Sequence, residues 1–203
     1  ANVYCEIHPF DAGAETIQVF SPKAIILSGG PESVTEINGF RAPDIVFDMA
    51  IPVLGICYGM HTMAEQLGGK VSTSSLREFG QAKVRARGHS QLLRDIQDET
   101  NAEGHGLLDV WMSHGDKVDE LPEGFKVIAS TDNAPIAGIA NEKRRIYGLQ
   151  FHPEVTHTLQ GSVILDRFLH EIVGCGSSWT MENIVDESID SIREKVGKDK
   201  VLL

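Results

Sequence analysis

The chain has 203 residues, 41% of them hydrophobic and 23% charged, which fits one globular domain with a substantial core and excludes a disordered or fibrous chain. Its 29 acidic residues outnumber 18 basic ones for a formal net charge of −11, and the Lys and Arg are scattered, so a phosphate backbone would be repelled and nucleic acid is not an expected partner. Cys5, Cys57 and Cys175 are an odd number and show neither CxxC spacing nor a paired-histidine pattern, so neither a disulfide framework nor a zinc site is expected, and no apolar run approaches the roughly 20 residues of a membrane helix; a reduced, cytoplasmic protein with no membrane partner is expected.

In chain order, KAIILSGG (23–30) is a β-branched apolar run closed by two glycines and predicts a strand. PVLGIC (52–57) repeats that form, with a helical stretch from Asp44 to Ala50 between them. Strand, helix, strand predicts parallel pairing. Met60, Met63, Ala64 and Leu67 fall at helical spacing over Tyr58 to Leu67, and Gly68-Gly69 is a natural stop. Shorter strands follow: KVSTSS (70–75), FGQAKVRAR (79–87), LLDVWMSH (107–114), FKVIAST (125–131), PIAGIAN (135–141) and RIYGLQFH (145–152), mostly separated by Gly, Pro, Asn or Asp. GSVILDRFLHEIV (161–173) is amphipathic, with Val163, Ile164, Phe168, Leu169 and Ile172 on one side, and predicts a helix packing back on the sheet. After Gly174 the composition turns polar and acidic. A connector, a second amphipathic helix within Glu182 to Lys200 and the first residues of a strand at Val201 to Leu203 are expected there.

In Gly55-Ile56-Cys57-Tyr58-Gly59, small residues flank the cysteine as a nucleophile elbow between strand and helix requires. The thiol would then face the first amides of the following helix, whose positive end favours the anion; a buried structural cysteine is the alternative use of the position. A nucleophile needs a base, and GLQFHPEV (148–155) offers one. Proline keeps the preceding residue extended, so His152 and Glu154 project to the same side and the carboxylate can orient the imidazole. A histidine beside an acid by chance is easy to obtain, but elbow and HPE together outline nucleophile, base and orienter for acyl transfer. Ser28-Gly29-Gly30-Pro31, at the end of a strand, can aim a backbone N–H at a reacting carbonyl, with the amide of Tyr58 as second donor; the same residues also make a plain turn. Cys5 and Cys175 read as packing residues, Trp111 and Trp179 as core and hinge, and His157 as a surface or site-lining residue.

The G-[IV]-C-x-G elbow and the late HPE resemble the class I (triad) glutamine amidotransferases, and LSGGPESV, REFGQAKV, LLDVWMSHGDKV and GLQFHPEVTHT extend the likeness over most of residues 1–174. The resemblance implies an α/β, flavodoxin-like domain over 1–174, with an open, mostly parallel central sheet flanked by helices and a small additional antiparallel sheet, here without its first strand and helix. It implies that Cys57, His152 and Glu154 are the triad, that Gly30 and Tyr58 supply the oxyanion amides, and that Ser113 and Asp116 grip the amino-acid head of L-glutamine. Where the family usually has a glutamine at a substrate-contacting position, this chain has His61, which cannot reproduce an amide's donor and acceptor pair. No cofactor and no metal are implied for the glutaminase. The tail (175–203) resembles a linker into a covalently joined ATP pyrophosphatase domain that would use ATP and Mg2+ in a homodimeric whole. An amidotransferase or γ-glutamyl hydrolase of another pathway, or a non-catalytic regulatory module, are the other readings.

Overall fold

The computed structural model describes residues 1–36 and 39–197. The chain runs through α1 (Ala14–Phe20), β1 (Ile25–Leu27), α2 (Ile45–Asp48), β2 (Val53–Ile56), α3 (Tyr58–Gln66), β3 (Lys70–Ala86), β4 (Glu99–Thr100), β5 (Gly106–Glu120), β6 (Lys126–Ser130), β7 (Gly138–Asn141), β8 (Ile146–Leu149), α4 (Gly161–Asp166) and α5 (Met181–Val196). The strands form one sheet in the order β1-β2-β8-β7-β6-β3-β5-β4. The expected strand at Val201 to Leu203, and the end of the last helix beyond Gly197, lie outside the described residues.

β1, β2 and β8 pair in parallel, with Leu54 opposite Ile26 on one side and Tyr147 on the other. Every residue of β2 and β8 is buried, as strands covered on both faces must be. Met60, Met63 and Ala64 of α3 pack with Val53 and Ile146 on one face; Ile164 and Phe168 pack with Leu54, Tyr147 and Leu149 on the other. The fold is therefore α/β, as expected. The antiparallel strands, however, continue the same sheet instead of forming a separate one. β7 and β8 are joined by a tight turn at residues 142–145, and a connection that short permits only antiparallel pairing, so the sheet grows outward from β8.

β3 and β5 form a long antiparallel ribbon. The sequence shows β3 as two strands, 70–75 and 79–87; the structure joins them through an irregularity where the partner of Thr73 is Asp116 and that of Glu78 is already His114. Along β5 the alternation of a pleated strand buries Leu108, Val110, Met112, His114, Asp116 and Val118, so one face changes from apolar to polar at His114 and Asp116. α4 continues as a π-helical turn over Arg167–Ile172. Ile164, Phe168 and Ile172 keep the inward line at a spacing of four, wider than an α-helical turn, and Val163 falls off it and is exposed. α5 is capped by Thr180, whose hydroxyl accepts the Asn183 N–H, and it leaves Val185, Ile189 and Ile192 exposed. Among the described residues no helix is long and apolar enough to cross a membrane.

Candidate active site

Cys57 closes β2 and opens α3 with φ +50° and ψ −108°, a conformation that costs a non-glycine residue about 1–3 kcal/mol and persists only where its surroundings hold it. They do so with main-chain bonds to sheet and helix: the Cys57 N–H donates to the Leu149 carbonyl at 2.8 Å, and the Cys57 carbonyl accepts from the Met60 and His61 N–H groups of the first turn of α3 at 3.0 and 3.1 Å. The flanking glycines are set by space. A Cβ on Gly55 would stand 2.6 Å from the Gly59 carbonyl oxygen, and one on Gly59 would stand 2.0 Å from that of Leu27. The turn brings α3 so close to β1 and β2 that neither position tolerates a side chain.

His152 arrives just beyond β8. Its backbone is fixed to β5: its N–H donates to the Trp111 carbonyl at 3.0 Å, and its carbonyl accepts the Thr158 hydroxyl at 2.6 Å, while the same hydroxyl oxygen accepts the Trp111 N–H at 3.0 Å. Nδ1 lies 2.7 Å from Glu154 Oε1. Gly29 passes over the pair. A Cβ there would meet His152 Cε1 at 3.0 Å and Cys57 Cβ at 3.6 Å, so thiol and imidazole converge beneath one glycine.

The Cys57 sulfur, and then the Glu154 carboxylate, raise His152 from its ordinary value to about 10, against burial, which lowers it. Among the described residues the buried imidazole Nε2 has no hydrogen-bond partner, so the sulfur acts on it as a close neighbour. Burial would raise Glu154, but the hydrogen bond from His152, a backbone N–H and the imidazole's charge outweigh it and hold the carboxyl below its usual range. The signs follow from linkage. The stabilisation from a raised His152 is fully present below pH 6.5 and is lost as pH rises through about 10; that from Glu154 is present above the ordinary carboxylate range and is lost as pH falls through its lowered value.

A cavity of about 550 Å³ opens beside the sulfur, and Gly30, Tyr58, His61, Ser113 and Asp116 all border it. Among the described residues, the backbone N–H groups of Gly30 and Tyr58 are not taken by any hydrogen bond. Gly30 packs on the Tyr58 ring, and the Tyr58 hydroxyl donates to the Phe40 carbonyl at 2.7 Å. Asp116 is buried, and its Oδ2 accepts the Ser33 hydroxyl at 2.6 Å and the Val34 N–H at 3.2 Å. Ser113 meets the nucleophile through its main chain, since its carbonyl accepts the Cys57 thiol at 3.3 Å. His61 is buried with Nε2 on the side chain of Gln150, 2.7 Å away, so that nitrogen is already engaged.

Sequence reasoning did not single out Gln150, Thr158 or Arg77, the last of which also borders the cavity. REFG and FHPEVTHT contain or adjoin all three, but only the cross-strand register shows what they face. His157 packs on Trp111, ring centroids 4.5 Å apart, and Trp179 packs edge-on against Tyr4.

An α/β sheet carrying a cysteine on a strand-to-helix elbow, with a His–Glu pair converging on it, defines an amidotransferase-type domain. The chain belongs to the class I glutamine amidotransferase family, whose model matches residues 1–172. It is 63% identical over 203 residues to a glutamine-hydrolysing GMP synthase of Thiobacillus denitrificans and 60% identical over 202 residues to one of an Azoarcus species. These alignments take in 100% of this chain and 39% of each relative, so the chain spans well under half their length. Among solved structures it resembles a putative GMP synthase subunit from Thermoplasma acidophilum, with TM-score 0.61 and 24% identity over 89% of this chain and 81% of that one. It also resembles a glutamine amidotransferase of Thermotoga maritima, with TM-score 0.57 and 21% identity over 92% and 81% of the two chains. At these identities the structural likeness speaks for the fold.

Proposed function

We propose that this chain is the glutaminase part of a GMP synthase. Cys57 Sγ attacks the side-chain amide carbon of L-glutamine, forming an S–C bond; the C–N bond breaks as the His152 imidazolium gives its proton to the departing ammonia. His152 then takes a proton from water, which hydrolyses the γ-glutamyl thioester to glutamate and returns the thiol. Glu154 holds the imidazole, the free amides of Gly30 and Tyr58 receive the oxyanion, and Asp116 with Ser113 receives the substrate's amino-acid head, near His61. The observation that carries this reading is the convergence of an elbow cysteine and a Glu154-held imidazole under Gly29. The 63% identity over the whole chain supports the further step, in which a covalently linked ATP pyrophosphatase domain uses the ammonia, with ATP and Mg2+, to aminate XMP to GMP. Residues 1–174 would form the glutaminase domain and 175–203 the link to that domain, in a cytoplasmic homodimer whose glutaminase half needs no cofactor.

The direct test is ammonia and glutamate release from L-glutamine by the intact protein, measured in a coupled assay. Stoichiometric release is expected; no release by protein whose Cys57 titrates as an intact thiol would overturn the reading. The rate should also fall on the alkaline side near pH 10, where the imidazolium that protonates ammonia is lost. Glu154→Gln removes one of the two influences that raise His152, so it should move that alkaline limb toward neutrality in a plot of log kcat/KM against pH. A limb that stays in place would separate Glu154 from the imidazole's titration.

A further inference from the structure

Gln150 directly follows β8 and is 0% exposed, yet it carries a primary amide into the core. Its Oε1 lies 2.7 Å from Nε2 of His61, itself only 3% exposed, and its Nε2 lies 3.9 Å from Cys57 Sγ. A buried amide in this position must be satisfied by specific partners, and both of these reach it across the parallel pairing of β2 with β8. Burial pushes His61 below its ordinary value, so the imidazole is neutral and offers one N–H. With that N–H donated to Oε1, the NH2 end of the amide is left facing the sulfur.

The reversed amide would set a second oxygen beside a sulfur that already faces the Ser113 carbonyl at 3.3 Å, and a thiolate there would meet two acceptors, with only the neighbouring His152 imidazolium to offset them. In the observed orientation the sulfur lies between one acceptor and one donor. The Ser113 carbonyl suits the thiol, which donates to it. The Gln150 amide suits the anion, which accepts from it.

We propose that Gln150, locked in orientation by His61, is a positioning residue whose amide N–H holds the Cys57 sulfur anion for attack. Its effect on turnover rests on the glutaminase reading above, whereas its effect on the sulfur does not. In the intact protein, Gln150→Met, similar in length but without an N–H, should slow iodoacetamide alkylation of Cys57 at pH 7 roughly tenfold and lower kcat by a similar factor, with KM within about twofold. Alkylation is read by peptide mass, so that the exposed Cys5 is counted separately. His61→Leu, which frees the amide to turn, should reproduce part of that loss in the wild-type background and add nothing to Gln150→Met. Unchanged alkylation and kcat in a Gln150→Met protein that melts like the wild type would overturn the proposal. If that variant does not fold, His61→Leu decides on the same two readings. A wild-type protein that releases no ammonia would sink the glutaminase reading instead, and the alkylation comparison would still judge the amide.

Discussion

Cys57→Ala should lower ammonia release from L-glutamine by roughly four orders of magnitude or more, because without the sulfur no thioester forms and the remaining groups only bind and polarise the amide. The fold should survive. Cys57 is 4% exposed and its Cβ stays in place, so the loss is one buried sulfur, about 1 kcal/mol, with the backbone bonds to Leu149, Met60 and His61 retained. A coupled ammonia assay read beside a thermal melt separates the two effects. Residual activity of even a few per cent, at an unchanged melting temperature, would remove Cys57 from the chemistry.

Gly59→Ala should be strongly damaging for so small a change. Its added methyl would stand 2.0 Å from the Leu27 carbonyl oxygen and 2.6 Å from the Leu27 carbonyl carbon, and backbone at that distance cannot yield as a flexible side chain can. Relief requires α3 to lift from β1, which uncovers Met60, Met63 and Ala64, all 0% exposed. We expect a loss of about 3 kcal/mol or more, a fall in Tm of roughly 6–12 °C for a chain of this size. Gly88→Ala is the control: nothing lies within 4 Å of the new methyl, and Tm should stay within about 2 °C of wild type. Equal Tm values for the two variants would mean that the elbow is not packed as described. Weak glutaminase activity in folded Gly59→Ala protein would follow from the same displacement, since α3 carries both the Tyr58 amide and His61.

The elbow and the HPE segment were legible in the sequence because each is local: small residues around Cys57 permit a strained turn, and a proline between His152 and Glu154 keeps both side chains on one side. Strand runs such as PVLGIC and RIYGLQFH were legible because burial on both faces demands continuous apolar residues. What the sequence could not show depends on register. Ser113 was expected only where the substrate's amino-acid head is held, and that its carbonyl also meets the sulfur, 56 positions away in the chain, could not be read from the sequence. The roles of Gln150 and Thr158 likewise rest on partners 93 and 47 positions away. α1 has no buried residue and hence no periodic apolar signal, and nothing in residues 161–173 marks the π turn.

The parallel alignment of Ile56 with Leu149 has a mechanical consequence. The sulfur follows one of these residues directly and the imidazole comes three positions after the other, so their spacing is set by a ladder of main-chain bonds in the interior and not by the pose of a loop. A slip of one residue would turn Gln150 and His152 to the opposite face of the sheet and dismantle the site as a unit. Heat should therefore abolish reactivity of the thiol and the cooperative structure in a single transition, without an intermediate stage in which the protein is whole but its chemistry is misaligned.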